Sequence, residues 1–76
     1  MLLVQHSLKC KVPMTRKDIA DFAIDLKAGD VLEYIGFKKH PHEYELLDAH
    51  GKPTRNIFTI PFAEATDTNV FEELEK

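Results

Sequence analysis

The sequence predicts a small, mainly β domain built from short antiparallel strands. Three observations carry this. Strand-forming runs at 31–35, 43–49 and 54–60 are separated by turn signals at close spacing. Gly29-Asp30 breaks the chain just before the first of those runs. "HGKP", residues 50–53, sits between the other two and reads as a tight turn. The chain has 76 residues, room for one domain over 1–76, and its 43% hydrophobic content is that of a globular chain.

The elements follow in order. "LLVQHSLKCKV", residues 2–12, mixes alternation with β-branched residues and reads as a first strand ended by Pro13. "MTRKDIADFAIDL", residues 14–26, admits two readings. Thr15 with Asp18 forms a capping-box pattern, which would open a helical turn with Ile19, Phe22 and Ala23 on one face. The other reading is a long loop that tucks Ile19 or Phe22 into the core. In the run Val31 to Ile35, Leu32 and Tyr34 share one side, and Val31, Glu33 and Ile35 the other. "KKHPH", residues 38–42, is a polar connector in which Pro41 biases His40 towards an extended conformation. "EYELLDA" is a second strand, and "TRNIFTIPF" a third closed by Pro61. In the tail, Asn69 with Glu72 opens a short helix striped by Val70, Phe71 and Leu74, or the same residues form a last strand.

"LKAGDVLEYIG" resembles the diverging-turn segment of SH3-like barrels. Leu26, Gly29, Asp30 and Leu32 stand where that family has an apolar residue, a Gly-Asp pair and an alternating strand. "DAHGKPTRNIFTIP" resembles the family's distal hairpin, with Gly51 in the turn and Ile60-Pro61 after the last long strand. The resemblance covers about residues 8–62. It implies a small SH3-like barrel of about five short antiparallel strands, with 63–76 as a short C-terminal helix or an extra strand. It does not extend to the family's peptide groove. The chain has no Trp, Tyr44 is the nearest stand-in, and "SLKCKV" replaces an aromatic-rich first strand. Proline-rich peptide recognition, which needs stacked aromatic walls, is therefore not expected.

Composition narrows the function. No apolar run approaches the roughly 20 residues of a membrane span. The N-terminal stretch lacks the pattern of a secretory signal, so a cytoplasmic protein is expected. Cys10 is the single cysteine and, between Lys9 and Lys11, reads as a small strand residue rather than a nucleophile. Lys9, Lys11, Arg16 and Lys17 lie early and Glu64, Asp67, Glu72, Glu73 and Glu75 late, which reads as solvated faces. Asp18, Asp21 and Asp25 read as loop solvation. With no phosphate-cradling Gly loop and no nucleophile motif, neither catalysis nor a cofactor is expected.

His40, His42 and His50 invite a metal reading. A strand between the last two separates them by roughly 20 Å, so they do not share an ion. His40 and His42 need a third ligand, such as His6, Cys10 or Glu43. No metal is expected: His40 and His42 read as decoration of a loop and His50 as a hairpin-turn residue, and the other reading is a pH-sensitive basic patch beside Lys38 and Lys39 for an acidic partner.

The positive reading is a protein-interaction module. The predicted strands are apolar on both faces, and one small core cannot absorb both. The second face needs a cover: Val70, Phe71 and Leu74 with Leu2 and Val4, or a second copy, or another protein. The expected contacts are Tyr44, Phe37, Val31, Ile35 and Ile57, with Lys38 and Lys39 at the rim. The small stand-alone format points to an adaptor or regulatory subunit of a bacterium or phage. The alternative is a nucleic-acid-binding small barrel using Tyr44, Phe37, Lys38, Lys39, Lys52 and Arg55. The net charge of −3, and basic residues split between opposite hairpin ends, weigh against it.

Overall fold

The structure is a computed structural model that describes residues 7–36 and 42–74. Among them the elements run β1 (Ser7–Cys10), β2 (Met14–Lys17), β3 (Ala23–Leu26), β4 (Val31–Tyr34), β5 (Glu43–Leu47), β6 (Pro53–Thr59), α1 (Phe62–Ala65) and β7 (Phe71–Leu74). Five strands form one sheet in the order β6-β5-β4-β1-β7, and β2 pairs with β3 as a separate hairpin. Every pairing is antiparallel. The expected closed barrel of about five strands is corrected here. The chain forms a small β-rich fold of two antiparallel sheets, and β6 and β7 remain the edges of the larger one.

Alternation decides which side of the large sheet is inside. Leu8 lies opposite Leu32 and Leu32 opposite Leu46, while Tyr34 lies opposite Tyr44 and Tyr44 opposite Phe58. Leu8, Leu32, Tyr44 and Phe58 are buried on that inner face, and Cys10, Ile60 and Phe71 join them. The hairpin contributes buried Leu26, with Met14 and Ile24 packed against the same cluster. α1 contributes Ala65. The Tyr34 and Tyr44 rings meet edge to face, centroids 5.5 Å apart, a geometry that their quadrupoles favour.

The stretch 14–26 departs from both of its expectations. Thr15 opens no helix; it sits in β2, and its hydroxyl donates to Asp25 Oδ1 across the hairpin at 2.7 Å. Ile19 and Phe22 are 57% and 66% exposed rather than tucked inside. The side chains that reach the core are instead those alternating along the strands. In the tail, the strand reading holds over the helix: β7 pairs with β1, with Phe71 opposite Cys10. The short helix lies earlier, at 62–65, directly after Pro61, whose fixed φ of −60° suits a helix entry. β6 ends at Thr59, just short of the proline expected to close it. The pairing of β5 with β6 slips between Glu45 and Leu47. There Arg55 takes a φ of +69° and its amide donates to Glu45 Oε2 at 2.8 Å. Such an irregularity roughens an edge strand. Among the described residues no helix is long and apolar enough to cross a membrane.

Candidate functional site

The candidate site grows from the turn 18–22 between β2 and β3. Asp18 is 8% exposed, the one buried polar side chain among the described residues. Its Oδ1 accepts the amides of Ala20 at 2.9 Å and Phe22 at 3.0 Å. Its own amide donates to Phe22 O, and its carbonyl accepts the Asp21 amide. Asp21 sits in the left-handed region at φ +68°, a conformation that Asp tolerates better than most residues. One carboxylate thus fixes the whole turn.

The turn is also tied to the body. The Ile19 amide donates to Ile57 O at 2.8 Å, and Asn56 Nδ2 reaches Asp18 Oδ2 at 3.5 Å. Arg16 donates to Thr59 O at 3.2 Å and grips both carboxylate oxygens of Glu64 in α1, at 2.9 and 3.2 Å. These ties run along edge strand β6, so the hairpin covers the carbonyls of residues 57 and 59. The Arg16 guanidinium holds the Glu64 carboxyl below its ordinary range, chiefly through that hydrogen bond. The large side chains that the fixed turn presents to solvent are Ile19 and Phe22; among the described residues Phe62 (54% exposed) and Val12 (40%) are the other exposed large apolar side chains.

The expected contact residues divide. Val31, Ile35 and Ile57 lie on the outer face of the large sheet and are half-buried. Tyr44 lies on the opposite, inner face; it is 5% exposed, and burial is the first cause of its raised hydroxyl pKa. Its ring is therefore a core element and cannot serve as a surface anchor without unfolding the sheet. Phe37, Lys38, Lys39 and His40 lie outside the described residues, as do Leu2 and Val4. His42 and His50 are exposed at opposite ends of β5. Among the described residues no three His, Cys, Asp or Glu side chains group to hold a metal. Cys10 is buried and its thiol is pushed up to about 11, first by burial and then by Asp30, so it stays protonated at neutral pH.

An open cavity of about 530 Å³ lies between the turn before β4 and the 48–52 turn. Its two carboxylates, Asp30 and Asp48, already accept the amides of their own turns. It offers no converging set of free polar groups.

Ile19 and Phe22 were missed as surface residues because apolar side chains in a long connection read as core. A signal was present: "DIADF" at 18–22 parallels "DAHGK" at 48–52, with Asp first and a left-handed-tolerant residue fourth. No protein-family model, no curated protein and no solved structure matches this chain.

Proposed function

We propose that the chain is a non-catalytic protein-interaction module of SH3-like architecture, docking through the 18–22 turn with Ile57 beside it. The observation that carries the reading is the turn itself. A buried carboxylate and ties to β6 and α1 hold rigid a segment whose two large side chains are apolar and exposed. Solvent alone gives no reason to place Ile and Phe there, and a pre-ordered apolar anchor loses little entropy on binding. The architecture is supported by the succession strand, long insertion, strand, loop, strand, tight turn, strand through β1, β4, β5 and β6.

The test uses Ile19→Ser and Phe22→Ser in a photo-crosslinking experiment, with Val12→Ser as the matched control. The expected result is a specific adduct with another protein, lost in the two turn variants and kept in the control. An adduct indifferent to all three substitutions sinks the reading. Light scattering across a concentration series identifies whether the captured protein is a second copy.

A further inference from the structure

The outer sheet face next to the turn has a charge pattern that the fold does not require. Through the Ile19–Ile57 hydrogen bond the turn meets β6 at Ile57. Ile57 lies opposite Glu45, and Glu45 lies opposite Glu33. The three side chains therefore form one row leading from the turn inward, across strands about 4.8 Å apart. Like charges directly opposite on neighbouring strands are destabilising. Glu45 Oε2 accepts the Arg55 amide, and among the described residues no basic side chain forms an ion pair with either glutamate. Val31 and Ile35 flank Glu33 on the same face, and Leu47 flanks Glu45. All of these residues are half-buried, so a cation brought there is screened less than at full exposure.

We infer that the partner segment docking on the turn is basic, pairing an apolar anchor for Ile19 and Phe22 with a Lys or Arg for Glu33 and Glu45. This rests on the docking reading above. The row spans roughly 10 Å from β6 to β4, within reach of one short extended or helical segment. Relief of the Glu33–Glu45 repulsion adds to the attraction, and the same carboxylates repel a nucleic-acid backbone.

The experiment is an amide-resolved NMR titration of the full chain with synthetic peptides of about 12 residues, enough to span the row. Three peptides share one apolar pattern and differ only in their polar positions: Lys/Arg, Ser/Gln or Glu. A single-stranded oligonucleotide is the fourth probe. The basic peptide is expected to shift the Ile19, Phe22 and Ile57 amides and to bind at least about tenfold tighter than the acidic one. That gap is expected to narrow to below about threefold in E33Q/E45Q, and likewise in high salt. Phe22→Ser is expected to weaken all three peptides together. Equal binding of the three peptides overturns the charge inference and leaves the docking reading standing. Shifts confined to other surfaces, unaffected by Phe22→Ser, overturn both. A preference for the oligonucleotide, or no shift from any peptide at millimolar concentration, overturns the inference.

Discussion

The turns at 18–22 and 48–52 are the same device built twice. In each, an Asp Oδ1 accepts the amides two and four residues on: Ala20 and Phe22 for Asp18, His50 and Lys52 for Asp48. In each, the aspartate's amide donates to the carbonyl four residues on, and its carbonyl accepts the amide three residues on. In each, the fourth residue is left-handed: Asp21 at φ +68° and Gly51 at φ +78°. The difference lies in what the turn carries. The second turn exposes Ala49, His50 and Lys52 and its aspartate stays in solvent; the first exposes Ile19 and Phe22 and buries its aspartate against the body. Backbone geometry therefore does not explain the apolar pair, since the same geometry is made with polar residues a short distance away.

The widest separation between the twins is expected from truncating their aspartates. Asp18→Ala removes a nearly buried acceptor of two amides and should cost about 2–3 kcal/mol, whereas Asp48→Ala, exposed to water, should cost about 1 kcal/mol. Urea denaturation with unchanged m-values reads the difference. Equal losses would mean that the burial of Asp18 adds nothing and that the two turns are equivalent.

The fourth position sharpens the comparison next. Nothing lies within 4 Å of a Cβ built on Gly51, so any penalty there is one of backbone conformation alone. Gly51→Ala should cost about 1 kcal/mol, and Gly51→Asp, which copies Asp21, about half of that, because Asp tolerates the left-handed region. Equal costs for Ala and Asp would remove the reason given for Asp21 in the first turn.

This pair of turns also shows what was legible beforehand. Gly51 announces the second turn in one dimension, and the alternating runs of β4, β5 and β6 announce the strands and their two apolar faces. Leu32, Phe58 and Ile60 are 0% exposed, on the face that strand pairing, not the alternation alone, turns inward. The first turn is announced only by its parallel with the second, because its left-handed residue is an aspartate and its neighbours are apolar. The partners of the turn, Asn56 and Ile57, and those of Arg16 just before it, Thr59 and Glu64, lie about 40 residues or more away, in bonds that no local period records. The placement of Tyr44 failed for a related reason: the strand was found, but only its pairing with β4 and β6 says which face carries the core.

The exposed pair itself should be nearly silent in folding. Ile19→Ser and Phe22→Ser are each expected to change stability by no more than about 0.5 kcal/mol, while the partner adduct is lost. Phe22→Ser at about 2 kcal/mol or more would instead make the ring part of the core, and the docking surface would have to be sought elsewhere.

The smallest effect concerns the tie that only the first hairpin has, Arg16 to Glu64. The Glu64 carboxyl titrates below its ordinary 4.5, chiefly because Arg16 donates to it, while partial burial opposes the shift. A lowered folded-state pKa means that the tie contributes fully above the unfolded value and fades as pH falls through the folded one. The pair is half exposed on the Glu64 side, so its contribution should stay below about 0.5 kcal/mol. Glu64→Gln should therefore fall slightly short of the parent at neutral pH, and the two should converge as pH falls through the parent's lowered folded-state pKa. The protection factor of the Ile19 amide, taken against its intrinsic exchange at each pH, should fall in step, because Arg16 and Ile19 hold the same stretch of β6. A deficit that persists undiminished in acid would show that packing, rather than charge, secures the hairpin to α1, and the 48–52 turn would then lack no electrostatic tie that its twin possesses.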